Sequence, residues 1–159
     1  MNKRAVIQKI IARLREELEV YFRAAQASRA EATHEQSKAE SKYDTRGLEA
    51  SYLARGQSRQ VAELEEAILE FQKLGERKHV ATEGISVGAL VELEKAGERS
   101  VYFLGSRAGG TEVVHNKTEI LVITPQSPLG EQLSGRKAGD ILTLNLGGES
   151  HTVKILGVE

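Results

Sequence analysis

Apolar residues in the first half of the chain recur at steps of three and four: Ile7, Ile10 or Ile11, Leu14, Leu18, Tyr21 and Ala25. After a long polar stretch the same spacing returns in Val61, Leu64, Ile68, Phe71 and Leu74 or Gly75. Each set makes one narrow apolar stripe on an α-helix, of the coiled-coil kind. A helix with such a stripe buries it, so the two stripes are expected to face each other. Residues 42–48 are the natural place to turn: Asp44 or Thr45 can cap the second helix, and Gly47 tolerates a tight reversal. The expected product is an antiparallel helix hairpin whose second helix, at about 28 residues, would be roughly 40 Å long. Toward the turn the inward positions shrink to Ala25, Ser28, Ala32 and Ala39, which predicts a slim distal end.

Past residue 78 the pattern changes to strands. Residues 89–94 alternate in part, and Gly97 turns the chain into residues 100–104. Residues 119–124 read as a buried strand, and residues 141–146 alternate cleanly. Gly147 and Gly148 then join these to residues 151–156 as a hairpin. Ser127 as N-cap and Pro128 at the first helical position start a short helix that reaches Leu133. Five strands and this helix make a small α+β core. The first half has no proline and only Gly47, Gly56 and Gly75, whereas both prolines lie in the second. This shift puts a boundary at residues 75–79, giving a helix-hairpin domain over residues 1–78 and a β-rich domain over residues 84–159 that starts near Val87.

Charge narrows the function classes. Residues 1–78 hold 15 Lys and Arg against 13 Asp and Glu, and the remainder 7 against 10. Neither half has the basic excess of a protein held mainly by nucleic-acid phosphates. Absence of cysteine excludes disulfides, a thiolate nucleophile and a Cys zinc site. Charges every few residues in the first 17, and no apolar run of membrane-spanning length, predict a cytoplasmic protein without membrane association. His34, His79, His115 and His151 lack metal-like spacing and read as surface or loop residues. The glycine-rich residues 105–110 lack the Gly-Lys-Ser/Thr of a phosphate loop and read as a hairpin turn. Taken alone, Asp44 is a helix cap and Glu49 a first-turn acid favoured by the helix dipole.

Three motifs in the second half change that picture. They are Val87-Gly88-Ala89-Leu90-Val91-Glu92-Leu93, then Ser127-Pro128-Leu129-Gly130 with Leu133, then Gly135-Arg136-Lys137-Ala138-Gly139-Asp140. Together they resemble the C-terminal domain of the GreA/GreB family of transcription elongation factors. The resemblance implies an FKBP-like domain that docks at the rim of the RNA polymerase secondary channel, with Ser127, Pro128, Arg136 and Lys137 as candidate contacts. It also implies that the hairpin enters the channel, where acids at its tip help hold a Mg2+ shared with the polymerase; the polymerase then cleaves its own backtracked RNA. Asp44 and Glu49 are the candidate acids, with Glu40 a third, and Lys42, Arg46, Arg55 and Arg59 are candidate RNA or channel contacts. On this reading the chain is an accessory factor and not an enzyme. It has no cofactor of its own, and it acts as a monomer on an elongation complex containing nucleic acid.

The tip departs from the family pattern of an Asp followed at the third position by a Glu. Counted from Asp44, that position holds Gly47, and Glu49 lies two residues farther on. A two-residue shift along a helix turns a side chain nearly to the opposite side. Two functions therefore stand side by side: stimulation of transcript cleavage, and occupation of the channel that modulates or inhibits transcription without cleavage. A free-standing prolyl isomerase fits less well, because Tyr102 and Phe103 are the only aromatics of the second half available to line a proline pocket.

Overall fold

Two long helices form where the stripes predict them: α1 over Lys3–Thr33 and α2 over Arg55–Glu76. They are seen in a computed structural model that describes residues 1–33, 53, 55–77 and 83–159. Gly75 of α2 lies against Ile7 of α1, while Phe22 and Ala25 cluster with Val61 and Leu53, so the helices run antiparallel. The expected turn at residues 42–48 lies outside the described residues, as do Ala32's side chain and Ala39. Phe22 is buried and Tyr21 only half-buried, so the stripe shifts by one position there. Ser28, expected to face inward, is exposed.

At the base of the pair, both members of the doublets Val6–Ile7 and Ile10–Ile11 are buried. Neighbouring residues on a helix point about 100° apart, so one partner helix cannot cover both. The second partner is a six-stranded sheet. Its strands are β1 (Leu90–Lys95), β2 (Glu98–Leu104), β3 (Glu112–His115), β4 (Thr118–Ile123), β5 (Ile141–Leu146) and β6 (Glu149–Val158), in spatial order β3-β4-β2-β1-β6-β5. One face of the sheet presents Leu90, Val101, Phe103, Val113, Ile120 and Val122 to the helices, forming a single apolar cluster with them. The opposite face gathers Val91, Leu93, Leu104, Ile123, Leu142, Leu144, Val153 and Ile155 around Leu133 of a third helix, α3 (Pro128–Leu133). Strands covered on both faces need apolar residues at successive positions, which is why residues 120–123 are an unbroken apolar run.

The sheet has one strand more than expected. Four residues, Glu-Val-Val-His, are too short and too mixed to signal β3. The turn that makes it is Asn116-Lys117, with φ of 49° and 64°, the left-handed pair of a two-residue hairpin. Residues 105–110 are not a hairpin turn. They carry the chain from β2 past β4 to β3, because β4 pairs in parallel with β2 and separates the two. The Gly147–Gly148 hairpin forms as expected, with φ of 59° and 81°.

Candidate functional site

The motif residues 127–140 follow β4 and include α3, whose Leu133 packs on the face of the sheet opposite the helix pair. Ser127 is the N-cap of α3: its Oγ accepts from the Gly130 amide at 3.1 Å and donates to the Thr124 carbonyl at 2.7 Å. Gly130 has no alternative. A Cβ there would stand 1.9 Å from the Thr124 carbonyl oxygen, so only glycine lets the helix start this close to the end of β4. Gly130→Ala is accordingly expected to destabilise the protein by about 1–3 kcal/mol, read as a lower urea midpoint in a chemical unfolding titration; an unchanged midpoint would show that the turn rearranges freely.

The side chain of Gln132 ties α3 to β5. It accepts from the Asn145 amide at 2.9 Å and donates to the Asn145 carbonyl at 3.2 Å. An amide side chain thus takes the place of a neighbouring strand at this point of an edge strand. Beyond the helix, the Ile85 amide donates to the Arg136 carbonyl at 2.7 Å and the Gly135 amide to the Ile85 carbonyl at 2.8 Å. Asp140 accepts from the Lys137 amide at 2.9 Å, closing the last turn before β5. Backbone hydrogen bonds hold residues 133–140 in place, and Arg136 and Lys137 are exposed on this segment.

The candidate residues are distributed as follows. Pro128, Arg136 and Lys137 share the exposed surface of this segment, whereas the Ser127 hydroxyl is engaged in capping on both its donor and acceptor sides. Arg59 is exposed on α2. Asp44, Glu49, Glu40, Lys42 and Arg46 lie outside the described residues, as does the side chain of Arg55. The histidines are not uniformly superficial. His115 is 8% exposed in β3, with neither ring nitrogen hydrogen-bonded among the described residues, and His151 is half-buried, 3.5 Å from Glu149. His34 and His79 lie outside the described residues. Among the described residues no group of three or more His, Asp or Glu side chains is placed to hold a metal ion, and no helix is long and apolar enough to cross a membrane.

One cluster was missed in the sequence. Ser106 and Arg107, in the loop after β2, both engage Glu70 of α2, and Arg107 also pairs with Glu66. The Ser106 hydroxyl, then the Arg107 guanidinium, hold the Glu70 carboxyl below its ordinary value. A carboxylate with a lowered folded value contributes stability above its unfolded value and loses it as pH falls through the lowered one. This contact therefore persists at neutral and mildly acidic pH.

A helix pair seated on one face of a small α+β domain, with a family-like motif exposed at the domain's edge, defines the class of molecule. The family model described as "Transcription elongation factor, GreA/GreB, C-term" matches residues 80–159, half of the chain, and the chain belongs to this family. It is 37% identical to transcription elongation factor GreA of Streptococcus suis over 82 residues, which is 50% of this chain and 48% of that protein. It is 30% identical to GreA of Streptococcus gordonii over 102 residues, 63% of this chain and 59% of the relative. The chain thus spans about half the length of these curated relatives, and in neither case two thirds. Among solved structures it is similar to GreA factor homolog 1 of Thermus thermophilus, at 23% identity and a TM-score of 0.39, over 98% of this chain and 94% of that one.

Proposed function

We propose that this chain binds RNA polymerase through its β domain, places its helix pair in the secondary channel and acts on transcript elongation as an accessory factor in the cytosol. The observation that carries this reading is the family match over residues 80–159, joined to a long antiparallel helix pair anchored on the same domain. On this reading the surface of residues 127–140 faces the polymerase, Pro128, Arg136 and Lys137 make contact, and Ser127 shapes the helix that presents them. Carboxylates suit a hard cation such as Mg2+, which would supply charge stabilisation for RNA cleavage in the polymerase active site. Asp44 and Glu49 are the acids assigned to reach it, and Lys42, Arg46, Arg55 and Arg59 the cations assigned to RNA or the channel wall. The occupant of the Glu position, Gly47, favours a second reading in which the chain fills the channel and modulates transcription without stimulating cleavage.

The docking half of the proposal has a direct test. Reversing Arg136 and Lys137 to Glu should weaken polymerase binding about tenfold or more, since opposed charges at an interface repel where they attracted. Binding is measured by titration against core polymerase, and circular dichroism confirms the fold. Unchanged affinity would assign both cations to a solvated face.

A further inference from the structure

We propose that Arg107 is a positioning residue: with Ser106 it clasps Glu66 and Glu70 of α2 and fixes the direction in which the helix pair leaves the β-sheet. The Arg107 Nη2 lies 2.8 Å from Glu66 Oε2, and its Nε lies 3.1 Å from Glu70 Oε1. The other oxygen of Glu70 accepts from the Ser106 hydroxyl. Glu66 and Glu70 are four residues apart, so both point from one side of α2 toward this loop. The loop can come that close because residue 105 has no side chain. A Cβ on Gly105 would stand 2.9 Å from Phe71 Cζ, 3.0 Å from the Arg107 carbonyl oxygen and 3.1 Å from Val122 Cγ1.

Two kinds of contact thus join the helix pair to the sheet, and they do different things. The apolar cluster around Phe71 and Phe103 makes the two parts adhere, but hydrophobic attraction is non-directional and leaves neighbouring tilts close in energy. A planar guanidinium engaged by two carboxylates, with a hydroxyl on one of them, has a defined geometry and selects among those tilts. A single exposed ion pair contributes little to stability, and Arg107 is 42% exposed, so the effect expected is on orientation and not on the unfolding midpoint. The lever is long. From Glu66 to the start of α2 at Arg55 is about 16 Å at 1.5 Å per residue, and a tilt of roughly 15° moves that end by about 4 Å. The function of the clasp rests on the polymerase reading above: it would set where the distal end of the pair arrives once the β domain has docked.

The chain contains no cysteine, so two introduced ones, Ala24→Cys on α1 and Thr152→Cys on β6, accept spin labels cleanly at exposed positions. Their separation is measured by pulsed electron resonance. The clasped protein should give one narrow distance distribution. Arg107→Ala, and independently the double change Glu66→Gln with Glu70→Gln, should broaden it about twofold with the thermal midpoint retained. Raising salt to about 1 M, where charges are screened beyond roughly 3 Å, should broaden it in the otherwise unmutated chain. Combining Arg107→Glu with Glu66→Lys and Glu70→Lys should narrow it again, a rescue that a merely bulky role for Arg107 would not give. Distributions as narrow in both neutralised variants as in the parent overturn the clasp, whatever the polymerase does. Broadening in a chain whose parent fails to bind polymerase upholds the clasp and sinks the polymerase reading. If both stand, Arg107→Ala should lower the chain's effect on stalled elongation complexes about tenfold while its polymerase affinity changes less than twofold.

Discussion

Replacing Phe71 by Ala is expected to cost about 3–5 kcal/mol of stability. The side chain is fully buried, its ring centroid is 5.7 Å from that of Phe103 at an interplanar angle of 41°, and its tip abuts Gly105. It belongs at once to the stripe that pairs α2 with α1 and to the cluster that seats both on the sheet. Removing the ring leaves a cavity between the helix pair and the sheet, and its cost adds to that of the lost apolar burial. Phe71→Leu should cost distinctly less, because most of the volume is kept. Urea unfolding followed by circular dichroism measures both. A loss below about 1 kcal/mol for the alanine variant would mean that the helix pair and the sheet do not share a core.

The second large effect concerns the tip acids. If the chain stimulates cleavage, Asp44→Asn should lower cleavage of backtracked RNA on the order of 100-fold, with polymerase affinity retained, and Glu49→Gln should have the next largest effect. That loss corresponds to a few kcal/mol of charge stabilisation at a metal-assisted step. Asn is the informative substitution: it preserves an N-cap nearly intact yet is a far weaker ligand for Mg2+ than a carboxylate. Full cleavage by both variants would remove these residues from the site. An unmutated chain that binds polymerase but leaves cleavage at its basal rate would identify the two-residue displacement of Glu49 as the feature that makes it a channel-filling modulator.

The helices and most strands were legible because burial writes periodicity into sequence. Ile7, Leu14, Leu64 and Phe71 repeat at helical spacing, and residues 141–146 at strand spacing, as the buried positions confirm. Ser127 and Pro128 also announced the start of α3. What escaped has physical reasons. β3 is four residues long and its turn, Asn116-Lys117, contains no glycine although both residues adopt left-handed angles. The meaning of the Val6–Ile7 and Ile10–Ile11 doublets depends on a second packing surface about 80 residues or more away along the chain, which no local pattern reports. The same distance hides the site: Arg107 meets Glu70 across 37 positions, and Gln132 meets Asn145 across 13. Conversely, the motif at residues 135–140 was legible as sequence before its reason was, since its glycine and aspartate serve the backbone that holds Arg136 and Lys137 outward.

The most direct test of the whole account is equilibrium binding of the fluorescently labelled chain to core RNA polymerase, with an established GreA protein as competitor. Saturable binding that the competitor displaces completely is the predicted result, because both would occupy the same docking surface and the same channel. No saturable binding, or binding that GreA leaves undisturbed, would contradict the claim that this chain acts through the secondary channel.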